Sequence, residues 1–355
     1  MSTISLCMIV KNEEPVLARC LDSVAGIADE IVIVDTGSTD ATKAIAAQYT
    51  DKVFDFPWID DFAAARNESF RHAAMDYCMW LDADDVLEEG ARAELLRIKT
   101  ELLPGSDMVM MKYHTGFHED GTPLLSYYRE RIVRNSPRFR WVGAIHECIP
   151  PAGEVAYSEG AVTHRKSGPG DPDRNLRIFE GLLAKGRNLD PREQFYYGRE
   201  LYYHKRYEDA AQVLERFLSQ GWGWYNNNID ACRTLAECYD ALGKPRLALR
   251  ALLESFSYDA PRAEVCCDLG ARFLAREEYQ RAAYWYELAL TCPRNDQSGA
   301  FVSPDCYGYL PCIQLCVCWY RLGEPEKARA YNDRAGRYKP QDPAYLYNKK
   351  FFELP

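Results

Sequence analysis

Long apolar runs are missing from this chain: no stretch is long enough to span a bilayer. The first residues run directly into Ile4-Ser5-Leu6-Cys7-Met8-Ile9-Val10, with neither a basic region nor a small-residue cleavage site. No signal peptide is therefore expected, and a cytoplasmic protein follows. Paired cysteines are missing as well. The thirteen Cys are odd in number and include no CxxC, which argues against a disulfide framework or a structural zinc site. Cys312 and Cys316 share a helical face and Cys316-Val317-Cys318 is a CxC, but small buried thiols are the simpler reading. Positive charge is also short: 43 Lys and Arg face 53 Asp and Glu, and a net charge of −10 argues against nucleic acid as a partner.

What is present divides into two halves with different periods. Residues 5–10 and 30–34 are buried-strand patterns, and residues 16–24, between them, carry apolar residues at helical spacing. A turn, Thr36-Gly37-Ser38-Thr39, leads to a helix over residues 40–49 and a short strand over 52–54. Residues 62–75 are helical again, and 77–81 form a further strand. This alternation predicts an α/β domain with a mostly parallel sheet, whose ligands gather beyond the carboxyl ends of the strands. Residues 107–113, 126–133 and 141–149 are β-rich.

From Asp171-Pro172, read as an N-cap followed by proline at the first helical position, the pattern is almost wholly helical. It also repeats. The segments at Arg206 to Ala210, Gly243 to Ala248, Glu278 to Ala282 and Gly323 to Ala328 align, each behind an aromatic-rich helix. This resembles tetratricopeptide repeats, in which a small residue sits at the helix turn and Ala lets the second helix pack closely. The predicted organisation is residues 1–170 as one domain and 171–355 as an all-α solenoid of about four repeats. Such an array offers a binding surface; its aromatic faces also suit a homodimer contact or a structural buttress.

The densest chemical signal is Trp80-Leu81-Asp82-Ala83-Asp84-Asp85. Three carboxylates at the end of a buried strand repel one another unless a cation or a basic ligand sits among them. Two more polar segments follow earlier strands: Lys11-Asn12-Glu13-Glu14, and Asp35 through Asp40. Together with Phe62-Ala63-Ala64-Ala65-Arg66-Asn67 and Trp141-Val142-Gly143-Ala144-Ile145-His146-Glu147, these segments resemble the family 2 glycosyltransferases of GT-A fold over residues 1–170.

That resemblance implies an inverting transfer from a nucleoside-diphosphate sugar, with a UDP-sugar favoured. Asp35 would read the nucleobase, accepting from the imide N–H of uracil. Asp82 would contact the ribose, and Lys11 and Glu13 would line the donor site. Arg66 would pair with the diphosphate or hold the aspartates together. Asp84 would bind the divalent cation, with His164 of Val162-Thr163-His164 as a further ligand or a contact to the diphosphate. Oxygen-rich ligation favours Mg²⁺ or Mn²⁺. Inversion needs a general base across the sugar from the metal. Glu147 is assigned that role, with His146 positioning it or the acceptor and Asp85 in reserve, and Trp141 is either a wall against the sugar or core.

A glycosyltransferase domain ahead of tetratricopeptide repeats resembles the bacterial peptide S-glycosyltransferases, which favours a peptide or protein acceptor held by the repeats. Saccharide or lipid-linked acceptors of the cell envelope are the alternative. A non-enzymatic interaction protein is the third reading, and the intact set of Asp35, Asp82, Asp84 and Glu147 argues against it.

Overall fold

The computed structural model describes residues 2–117, 121, 123–166, 168 and 170–353. The chain divides into two compact units, Met1–Leu189 and Asp190–Pro355. That division falls later than the expected 170/171, because the first helix after the sheet packs with the sheet domain.

The first unit begins with β1 (Ile4–Val10), α1 (Leu17–Ser23), β2 (Glu30–Asp35), α2 (Thr42–Ala46), β3 (Val53–Asp55), α3 (Phe62–Arg71) and β4 (Tyr77–Trp80). It continues with β5 (Asp85–Val86), α4 (Glu89–Arg97), β6 (Met108–Phe117), β7 (Pro123–Arg134), β8 (Val155–His164) and α5 (Arg174–Ala184). Strands β1 and β4 are buried on both faces, which is why they read as continuous apolar runs rather than alternating ones. Strands β3-β2-β1-β4 form the expected parallel half of an eight-stranded sheet of order β3-β2-β1-β4-β7-β6-β8-β5. Strand β7 then joins β4 and β6 antiparallel, whereas β8 runs parallel to β6. The result is the GT-A type of α/β layer. The turns that carry Lys11 to Glu14, Asp35 to Asp40 and Asp82 to Asp85 leave β1, β2 and β4 at their carboxyl ends.

Three local expectations change. Residues 141–149 form a loop with one isolated bridge, Val142 to Cys148, instead of a strand. Gly143 (φ +90°) and His146 (φ +51°) lie in the left-handed region, which no extended strand can absorb. Helix α5 starts at Arg174, behind Asp173, so Asp171 is no N-cap. Asp171 instead takes the Asp173 N–H and pairs with Arg177. Finally, α3 stops at Arg71, short of Met75.

The second unit is α6 (Pro191–Tyr203), α7 (Tyr207–Gln220), α8 (Tyr225–Ala241), α9 (Pro245–Glu254), α10 (Ala263–Ala275), α11 (Tyr279–Ala289), α12 (Tyr309–Arg321), α13 (Pro325–Tyr338) and α14 (Pro343–Glu353). Helices pair as α6/α7, α8/α9, α10/α11 and α12/α13. Each pair turns through a left-handed residue: Lys205, Gly243, Glu277 and Gly323. The aligned Ala210, Ala248, Ala282 and Ala328 are all fully buried, so each second helix lies close on its first. Gly198 and Gly270 allow close approach, since a Cβ there would stand 2.6 Å from the Leu214 side chain and 2.8 Å from the Tyr286 ring. Ion pairs Arg233–Asp268, Arg262–Asp230 and Arg272–Glu237 join α8 to α10. No helix among the described residues is long and apolar enough to cross a membrane. All thirteen cysteines are free thiols, eleven of them buried.

Candidate active site

The turns after β1 and β2 are stitched into one platform. Asn12 sits at φ +55° and its Oδ1 accepts the Thr39 N–H at 2.8 Å, and its own N–H donates to Ser38 Oγ. Glu14 accepts the Ala41 N–H, and Asp40 accepts that of Thr42 at 3.0 Å, closing the turn ahead of α2, whose N-cap residue is Ala41. Asp35 is 2% exposed. Its Oδ1 takes the N–H groups of Gly37 and Ser38 at 2.9 and 2.8 Å, whereas Oδ2 is buried with no partner. A buried carboxylate oxygen left without a donor is costly, and it marks a place where a ligand N–H would be welcome.

Lys11 is exposed beside this platform. Glu13 is half-buried, and its carboxyl is pushed up to about 7, first by burial and then by the charges of Asp84, Asp82 and Asp40. Negative charge is thus concentrated where the β1 turn meets the end of β4.

Asp82, Asp84 and Asp85 face three different environments. Asp85 is fully buried: Oδ1 takes the Tyr113 hydroxyl at 2.8 Å, and Oδ2 takes the Asp82 N–H at 3.1 Å and Arg131 Nη1 at 3.3 Å. It buttresses the turn from below and cannot meet an acceptor, which removes it as the reserve base. Asp84 is partly exposed, and its Oδ1 lies 3.3 Å from His164 Nδ1. Antiparallel pairing of Asp85 with His164, between β5 and β8, delivers that contact across almost the whole length of the domain. The His164 imidazole is pushed up to about 10 by its hydrogen bonds to Asp84 and Asp85, with burial opposing.

Donor atoms of Asp84, Asp85 and His164 lie within 4.8 Å of one another. The set fits a divalent cation in part. Asp84 and His164 offer an oxygen and a nitrogen beside the crowded carboxylates, whereas the Asp85 oxygens are already committed to Tyr113, Arg131 and the Asp82 amide.

Asp82 belongs to a second cluster. Arg66 of α3 donates from Nη2 to Asp82 Oδ1 and from Nε to Glu147 Oε1, both at 2.7 Å. Its guanidinium lies 4.9 Å from the Trp80 ring centre and 4.8 Å from that of Trp141. Burial opposes the charge on Arg66, but Asp82 and Glu147 outweigh it and hold the group firmly protonated. Asn67, one residue on, brackets Trp141 with two 2.9 Å bonds, and Phe62 N–H donates to the Ala144 carbonyl. Helix α3 thereby sets the loop that presents His146 and Glu147. His146 leaves toward α5, against Asn175 and Phe179. Trp141 is 2% exposed and packs on Trp80 at 5.0 Å, so it is core and no sugar-facing wall.

Sequence reasoning passed over Tyr113, Arg129 and Arg131. Arg131 is fully buried, 3.7 Å from the Trp80 ring centre, and Arg129 lies 4.9 Å from it, so three guanidiniums surround one indole. The signal was there: Arg129-Glu130-Arg131 places charge inside a strand pattern, where a partner is obligatory.

Comparison with known proteins shows what the first part of this chain is similar to. Residues 5–146 match the model described as glycosyl transferase family 2. A TPR repeat-containing protein of Synechococcus elongatus is 38% identical over 151 residues, which is 42% of this chain and 36% of that protein. The SPbeta prophage-derived glycosyltransferase SunS of Bacillus subtilis is 26% identical over 230 residues, 61% of this chain and 53% of SunS. The lipopolysaccharide core biosynthesis glycosyltransferase LpsC of Rhizobium meliloti is 32% identical over 179 residues, 45% of this chain and 62% of LpsC. The chain thus spans between about a third and two thirds of the length of these relatives.

Proposed function

We propose, from the match of residues 5–146 to the glycosyl transferase family 2 model, that the protein moves a sugar from a nucleoside-diphosphate donor to a polypeptide acceptor, with inversion at the anomeric carbon. The observation that carries the reading is the pairing of Asp84 with His164 beside the Asp82–Arg66–Glu147 triad, at the carboxyl edge of the parallel strands.

In this reading Asp35 Oδ2 accepts the imide N–H of a uracil, with Oδ1 already committed to the turn. Asp82 meets the ribose, its orientation set by Arg66, and Lys11 contributes positive charge near the donor. Asp84 and His164 hold a divalent cation, Mg²⁺ or Mn²⁺, which when bound offsets the charge of the departing diphosphate. Glu147 takes the proton as the acceptor attacks the anomeric carbon and the bond to the diphosphate breaks. Arg66 Nε donates to that carboxylate and holds it in place. A thiol acceptor would depend least on that base, since an unperturbed thiol ionises near pH 8.5.

A polypeptide acceptor is supported by the repeats and by the likeness to SunS. A saccharide acceptor is the second reading, favoured by the likeness to LpsC. The test is direct. UDP with Mn²⁺ is expected to raise the melting temperature, by about 2.7 kcal/mol of stabilisation at a hundred times Kd. Transfer from a panel of UDP-sugars is then followed by mass spectrometry on a cysteine-containing peptide pool and on simple saccharides. Absence of a shift with every nucleoside diphosphate sinks the reading, and transfer to saccharides alone moves the acceptor to the second.

A further inference from the structure

Residues 290–308 join α11 to α12, where residues 221–224 and 255–262 suffice for the earlier connections. The long connection is pinned across the first helices of three successive pairs. On α6, the Arg199 guanidinium lies 4.2 Å from the Phe301 ring centre. At the start of α8, Asn226 Nδ2 donates to the Ser298 carbonyl at 2.9 Å, and Trp224 presses on Gly299. A Cβ on Gly299 would stand 2.7 Å from the Trp224 ring, and its φ of +74° suits glycine alone. On α10, Glu264 Oε1 accepts the Ser303 N–H at 2.8 Å and Oε2 accepts the Tyr307 hydroxyl at 2.9 Å.

Asn226 and Glu264 are 2% and 1% exposed. Their partners at Ser298 and Ser303 are main-chain groups, a carbonyl and an N–H. Every polypeptide carries those groups, and their use leaves side-chain choice to two places: the small residue against Trp224 and the aromatic ring over Arg199. Ala300, between them, is buried. We propose that this face of the array is a binding surface for a polypeptide that bends through a small–small–aromatic segment, as residues 296–300 do, and that residues 298–303 hold it as an internal occupant which the acceptor displaces. The proposal rests on the polypeptide-acceptor reading and names the surface that reading needs. A tethered occupant acts at roughly millimolar effective concentration, so only a partner that outcompetes it gains the surface.

The probe is a fluorescein-labelled peptide with the sequence of residues 294–304. It is titrated by anisotropy against the wild-type chain and against a full-length chain whose residues 296–302 are replaced by a Gly-Ser linker of equal length. Saturable binding to the replaced chain, at least about tenfold weaker binding to the wild type, and loss on adding Asn226→Ala are expected. Equal binding to both chains, or none to a replaced chain that melts like the wild type, overturns the proposal and leaves the segment a structural brace. Should the replaced chain not fold, Gly299→Val in the intact chain answers instead. It is expected to speed amide exchange at residues 298–303 and to admit the peptide, and unchanged exchange with no binding overturns the proposal. No sugar transfer enters this readout, so a peptide-binding chain that glycosylates only saccharides would refute the acceptor reading and leave the surface standing.

Discussion

Arg66 Nε lies 2.7 Å from Glu147 Oε1, and the same guanidinium reaches Asp82 at 2.7 Å. One buried side chain thus ties the end of β4 to the loop that carries the proposed base. Removing it leaves Glu147 nearly buried and unpaired. Arg66→Ala is expected to cost about 3 kcal/mol, the low end for breaking a buried pair, because Asp82 is partly solvated. Urea denaturation measures this, and a loss below about 1 kcal/mol would place the triad among ordinary surface pairs.

Glu147→Gln preserves shape and an acceptor oxygen for Arg66 but cannot take a proton. Nucleotide-induced thermal stabilisation should be unchanged, and transfer to an alcohol acceptor should fall by about 10²–10⁴-fold. A variant that still transfers at the wild-type rate would remove Glu147 from the mechanism, and the buried Asp85 could not replace it.

Asp35→Asn retains an oxygen for the Gly37 and Ser38 amides and replaces the unpartnered Oδ2 with an NH₂ group. Affinity for UDP, measured calorimetrically, is expected to fall by about 1.5–3 kcal/mol, tenfold or more, with little change in melting temperature. Undiminished affinity would mean that the base is read elsewhere.

His164 gives a pH signature. Its folded pKa of about 10 exceeds the ordinary 6.5, so its ion pairing stabilises the cation-free fold fully below pH 6.5 and progressively less up to about pH 10. Within that window a cation held by Asp84 and His164 must displace the imidazole proton. Titrating Mn²⁺ at pH 8 in two buffers of different ionisation enthalpy should report release of about one proton per cation. His164→Asn should abolish that release, and Asp84→Asn should weaken the binding itself. Cation binding with no proton release would exclude His164 as a ligand.

In the repeats, Ala282 is fully buried between α10 and α11. Ala282→Leu is expected to destabilise the second unit by about 1–3 kcal/mol through overpacking. Nucleotide binding by the first unit should persist, and calorimetric scanning with and without UDP would separate the two effects.

Much of this was legible in sequence because it is local. Strands β1, β2 and β4, the turns after them, and the four Ala-bearing second helices each announce themselves through period and punctuation. The β-rich stretch at 141–149 misled because apolar residues there serve a looped core contact, and the left-handed backbone at Gly143 and His146 leaves no trace in hydrophobicity. The role of Asp85 was misjudged for a related reason. Adjacent carboxylates look alike in sequence, and only the approach of Tyr113 and Arg131 from β6 and β7 separates a buried buttress from a solvent-facing ligand.

The sequence by itself determined which carboxylates end the buried strands, and that a helical repeat follows the sheet, because both are written in neighbouring residues. Tertiary structure alone decided the partners. Asp84 meets His164 only because β5 pairs with β8, and Asp82 meets Glu147 only through Arg66. The 290–308 connection covers α6, α8 and α10 for the same reason. Such contacts depend on strand order and helix stacking, which are collective packing outcomes and have no counterpart in residue spacing.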